Sequence, residues 1–149
     1  MVNPFDLKTV VLAKHAQHVV LIHFPIALFI TAVVFDGIAQ WTKRSGLLEV
    51  VYLNVLVAAM ATVPVVITGV LAWQFQLEGQ KLKGLLLMHL VLAWVSTVLI
   101  WLVWWIHSRA RRRNEDLPSY RLALELLGVA VIALTAHLGG FLSGVNGPG

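Results

Sequence analysis

The sequence predicts an all-α integral membrane protein: a four-helix bundle with short loops and a short interfacial segment at its N-terminus. Three observations carry this. Of the 149 residues, 59% are hydrophobic and only 12% charged, about half the charge of a usual soluble domain. Four apolar stretches are each long enough to cross about 30 Å of hydrocarbon at about 1.5 Å per residue. The breaks between them, Thr42 to Gly46, Gln74 to Lys83 and Arg109 to Ser119, are short and polar. A mean hydropathy of +0.84 excludes a water-soluble globule and a disordered chain alike. The lack of alternation excludes a membrane barrel. The sequence has no Cys, which removes disulfides, Cys-ligated zinc or iron–sulfur centres, and covalent c-type haem attachment.

Residues 1–16, MVNPFDLKTVVLAKHA, lack the basic, apolar and cleavage regions of a signal peptide. They read as an amphipathic segment at the interface, with Phe5, Val10, Val11 and Leu12 as its apolar side. Residues 17–144 form the transmembrane domain, with helices over about 18–41, 47–73, 84–107 and 120–142; residues 145–149 are a tail. Pro25 distorts the start of the first helix, and Pro64 kinks the second at most. Pro118 and Ser119 suit the start of the fourth, Ser119 as its N-cap. Trp41, Trp73, Trp104 and Trp105 fit an interfacial belt, while Trp94 and Trp101 lie deeper. No internal repeat stands out.

The net charge is +4 and the pI near 9.9, but the basic residues sit in loops, with no stripe interleaved with aromatics, so nucleic acid is not an expected partner. Their distribution sets the orientation instead. The first and third loops and the flank of the fourth helix carry Lys43, Arg44, Arg109, Arg111, Arg112, Arg113 and Arg121, against Lys8, Lys14, Lys81 and Lys83 on the other side. That asymmetry places the first and third loops in the cytoplasm and both termini in the periplasm, for a chain in a bacterial inner membrane.

The histidines are the candidate functional residues, because ionisable side chains in a membrane are costly and commonly functional. His23 and His89 each lie about five residues into the first and third helices, and His137 about five before the end of the fourth. Up-and-down topology puts all three roughly 7–8 Å below the same interface, with His18 above them. Ala27, Ala93 and Ala133 lie one turn deeper on the same faces, Thr31 and Ser96 extend the stripe, and Gly140 and Gly144 share the face of His137. Small residues permit close helix approach or leave a slot for a flat ligand. Imidazoles above such a slot suit a b-type haem ligated by two of His23, His89 and His137. Another metal, a quinone contact, or helix–helix hydrogen bonding are the competing roles. His18 and His23 lie about 140° apart around a helix, so His18 is assigned to a propionate, a second group or the interface.

His107 follows His89 by five whole turns, on the same face but at the inner end. No second imidazole is expected near it, and it reads as interfacial. Asp36 and Glu125, about two turns from the inner surface, are expected to pair with Arg121, Arg109 or His107; a proton path is the sharper alternative.

The segment HVVLIHFPIAL, His18 to Leu28, resembles the opening motif of a bacterial membrane family catalogued as domain of unknown function 2231. So do Thr68-Gly69, His89 and the closing run Thr135-Ala136-His137-Leu138-Gly139-Gly140-Phe141-Leu142. Val19 stands where that family usually has Pro. The resemblance implies four membrane helices and maps the family's histidines onto His18, His23, His89 and His137. It also implies the company of electron-transfer modules such as Rieske or c-type cytochrome domains. The expectation is therefore a membrane b-type cytochrome or haem-binding electron-transfer subunit, with haem b near the outer face and periplasmic or membrane redox partners. The competing expectation is an accessory subunit of a larger membrane redox or photosynthetic complex. A transporter lacks broken helices and inverted repeats, and no nucleophile–base–acid set for hydrolysis is present.

Overall fold

The computed structural model describes residues 14–144. Among the described residues five helices make four spans: α1 (Lys14–Leu21) and α2 (His23–Thr42) together, then α3 (Leu47–Gln76), α4 (Gly84–Arg113) and α5 (Arg121–Leu142). All four spans are long and apolar enough to cross a membrane. Among the described residues there is no strand. The expected first segment lies largely outside the described residues, as does the 145–149 tail.

Pro25 explains the break between α1 and α2. Its ring nitrogen has no hydrogen to give the Leu21 carbonyl, and the helix is interrupted at Ile22. Ile22 keeps helical dihedrals, φ −59° and ψ −27°, so Gln17–Thr42 remains one apolar span. The α2 helix stops where Lys43 turns left-handed, and α4 stops where Asn114 does, at φ 52°. Asn suits that conformation better than most residues. Arg111, Arg112 and Arg113 fill the last turn of α4, where the helix dipole favours cations. This carries α4 two turns past the expected end at His107.

Short loops force consecutive spans to run antiparallel. The α2–α3 and α4–α5 hairpins pack most extensively, α1 lies on α3, and α3–α4 and α2–α5 contacts close the ring. The first and third spans therefore stand on one diagonal. One end of the bundle carries the loops 43–46 and 114–120 and is called the arginine end; the other carries the starts of α2 and α4 and is called the histidine end.

The core is Phe29, Ala32, Val33, Val51, Val55, Ala58, Ala59, Ile100, Val103 and Ile132. It depends on one close approach: a Cβ at Gly128 would stand 2.9 Å from the Phe29 ring. The core is displaced toward the arginine end. No residue of 84–95 or 133–142 is buried, and in 63–75 only Thr68 and Ala72 are. The outward faces are large apolar side chains such as Val34, Leu53, Met60, Val98 and Leu134, which suits contact with lipid.

Candidate functional site

At the histidine end the imidazoles are held one hairpin at a time. His18 of α1 lies 3.2 Å from Thr68 Oγ1, measured at Nδ1. The Thr68 hydroxyl donates to the Pro64 carbonyl at 2.8 Å, so its hydrogen is committed and His18 Nδ1–H is the donor. The ring lies against Gly69, where a Cβ would come within 3.0 Å of it. The second hairpin repeats the arrangement. His89 Nδ1–H donates to the Thr135 carbonyl at 3.0 Å, and its ring lies against Gly139, where a Cβ would come within 3.1 Å. Ser96 donates to Thr135 Oγ1 at 3.0 Å, and Thr135 donates to the Val131 carbonyl. In both hairpins a Thr fixes the imidazole and a Gly makes room for it.

The other expected site residues are placed differently. His23 is exposed and donates Nδ1–H to the Val19 carbonyl of its own span at 2.7 Å. His137 is exposed, edge-on to Phe141 with ring centroids 5.0 Å apart. Ala27 and Ala133 are exposed, whereas Ala93 and Gly140 are half-buried. His89 thus reaches across to another span, through the Thr135 carbonyl. Thr68, Gly69, Thr135 and Gly139 were visible in the sequence as motif residues, but their role as imidazole seats depends on how the helices are rotated.

The arginine end holds a tighter constellation. Arg121 at the start of α5 clamps Asp36 of α2 through two parallel hydrogen bonds, Nε to Oδ2 at 2.8 Å and Nη2 to Oδ1 at 2.9 Å. Gln40, one turn along from Asp36, adds a longer contact at 3.4 Å. His107 Nε2 and Glu125 Oε1 are 2.8 Å apart. Ligand atoms of Asp36, His107 and Glu125 all lie within 4.8 Å of one another, and all three residues are buried. Glu125 Oε2 is buried with no hydrogen-bond partner. Beside His107 lies a cavity of about 260 Å³, bordered by Tyr52 and by Glu49, Arg111, Glu115 and Asp116 near its rim.

The expected pairing of Asp36 and Glu125 is met by Arg121 and His107. Arg109 instead lies over the Trp105 ring at 5.7 Å. The interfacial assignment of His107 is corrected: it is only 3% exposed. The five-turn repeat from His89 does keep both residues on the inward face, but α4 runs on past His107, so that face meets Glu125 and not the headgroups.

No curated protein and no solved structure matches the chain. A family model does match, over residues 14–147, and its description as a predicted membrane protein agrees with the four apolar spans: the chain belongs to DUF2231, a family of predicted membrane proteins.

Proposed function

We propose that this multi-pass membrane protein is a haem-binding electron-transfer subunit, with haem b held at the histidine end. The observation that carries the reading is the His89–Thr135 hydrogen bond. An imidazole whose Nδ1–H is committed to a carbonyl keeps its lone pair on Nε2, the arrangement that metal-ligating histidines adopt. His23 has the same commitment, to Val19. These two residues belong to the spans on one diagonal, at the end where α4 and α5 bury nothing over 84–95 and 133–142. Donor chemistry and the missing core together fit a flat group between hairpins. His89 and His23 are the preferred ligands, His137 the neighbouring candidate, and His18 with Thr68 a polar partner at the same end. When bound, haem supplies one-electron transfer; the protein orients the imidazoles and excludes water. A quinone is the expected small-molecule partner and a periplasmic carrier the protein one, with loops 43–46 and 114–120 on the cytoplasmic side.

The test is the reduced-minus-oxidised absorption spectrum of protein purified in mild detergent. A b-type α-band that His89→Ala abolishes is expected. Its absence from freshly purified wild-type protein overturns the proposal. The accessory-subunit reading rests on the same coreless end, which a partner's helix would fill; migration on native gels as part of a larger complex, with no α-band, would favour it.

A further inference from the structure

The buried constellation at the arginine end is not needed to hold a haem, and its charges do not balance without a proton. Asp36 and Arg121 cancel. Glu125 and His107 cancel only when one proton lies between them, as imidazolium with carboxylate or as imidazole with carboxylic acid. Without that proton the bundle would bury a net negative charge about 1% exposed to solvent, which low-dielectric surroundings penalise heavily. The unpartnered Glu125 Oε2 is the oxygen a carboxylate could least leave bare.

We propose that Glu125 and His107, backed by the Asp36–Arg121 pair, form a proton-binding site that loads from the arginine end through the cavity beside His107. That cavity is about 260 Å³, room for several waters at about 30 Å³ each. A proton taken from cavity water makes His107 an imidazolium. It then crosses the 2.8 Å from Nε2 to Glu125 Oε1, leaving neutral imidazole and neutral carboxylic acid; release reverses both steps. The groups facing the site are Asp36 from the first span, Glu49 and Tyr52 from the second, Arg111 from the third, Arg121 from the fourth, and Glu115 and Asp116 from the loop. Arg111 is paired with Glu49 and stacked on Tyr52 at 4.8 Å, and Glu115 lies 3.8 Å from Arg113, which leaves Asp116 to supply negative charge at the cavity mouth. A divalent cation is disfavoured, because Arg121 already occupies both oxygens of Asp36. The site lies at the opposite end from the histidine pair and stands whether or not haem binds.

Infrared spectra of the full-length protein in lipid nanodiscs, recorded as a function of pH, test this. The expected result is a protonated-carboxyl C=O stretch that disappears as pH rises, shifts in heavy water, is lost in Glu125→Gln and persists in Glu115→Gln. Glu125→Asp, which keeps a carboxyl, should retain a displaced band even if Glu125→Gln folds poorly. His107→Leu should slow hydrogen–deuterium exchange of the band by about a hundredfold, the scale of a positioned proton-transfer group. A band absent at every pH, or unchanged in Glu125→Gln, overturns the site. Exchange unaffected by His107→Leu overturns the route. A stoichiometric divalent metal lost in both the Glu125→Gln and His107→Leu variants would make the cluster a metal centre and overturn the proposal.

Discussion

The two ends of the bundle solve the same problem in opposite ways. Both place polar side chains inside a protein whose surroundings offer no water. At the arginine end the buried charged groups meet partners on other spans, Asp36 with Arg121 and His107 with Glu125, and the apolar core of Phe29, Val51, Val55 and Val103 lies toward the same end. At the histidine end the imidazoles are tied to a hydroxyl or a main-chain carbonyl, and the helices enclose almost nothing. The Asp36–Arg121 pair joins residues 85 apart and closes the ring between the first and fourth spans, and His107–Glu125 ties the last two spans together in the core. The bonds at the histidine end fix ring orientation within a hairpin. The arginine end is therefore expected to dominate stability, and the histidine end to dominate ligand binding.

The sharpest way to break that comparison is to unpair Asp36. Arg121→Leu leaves a fully buried carboxylate without its clamp and should cost about 3–5 kcal/mol, read as a lower thermal midpoint in detergent. The double variant Asp36→Leu with Arg121→Leu should recover most of the loss, because removing both charges removes the desolvation penalty as well. If the double variant is no better than the single one, the pair acts through packing and not through charge.

Gly128→Ala tests the core that backs those charges. Its new methyl would lie 2.9 Å from two atoms of the Phe29 ring, and Phe29 is wholly buried. Overpacking of this kind costs about 1–3 kcal/mol. Phe29→Leu introduced alongside should relieve it, and thermal unfolding of the two variants measures both effects.

The histidine end should respond differently. His89→Ala removes one interior hydrogen bond, about 1 kcal/mol, with a correspondingly small fall in midpoint, but it should abolish the α-band. Gly139→Ala should act through the same ring, since a Cβ there would stand 3.1 Å from His89 Cε1. The expected signature is a displaced band with nearly unchanged stability. A large loss of stability in either variant would mean that this end, too, is part of the structural core.

What the sequence made legible follows the same division. Four runs of about 20 apolar residues can hardly be anything but spans, and a carboxylate such as Asp36 within one must find a cation. Arg121 was among its expected partners for that reason. The histidines were harder to read because depth is set by counting residues, whereas facing is set by rotation about each helix axis. The equal depths of His23, His89 and His137 could be counted along the chain. That His18 turns toward Thr68 and Gly69 while His23 folds back on Val19 depends on the interruption at Ile22, which Pro25 only hints at. His107 was misplaced for a simpler reason: Arg109 to Arg113 looked like the end of a span, yet α4 continues through them.

The smallest effect is expected at the surface of the arginine end. Arg111 forms the most conspicuous ion pair outside the core, with Glu49 at the start of α3, and also covers the Tyr52 ring. Both partners are about half exposed. In water, Coulomb attraction between such groups is offset by side-chain ordering and screened by salt. Arg111→Gln should therefore leave the thermal midpoint unchanged at moderate salt, in contrast to Arg121→Leu ten residues away. The same substitution opens Glu49 toward the cavity beside His107, so it should speed exchange of the Glu125 carboxyl without altering the fold. A fall in midpoint comparable to that of Arg121→Leu would show that the charge network extends from the buried pairs to the surface, and that burial is not what separates the two kinds of pair.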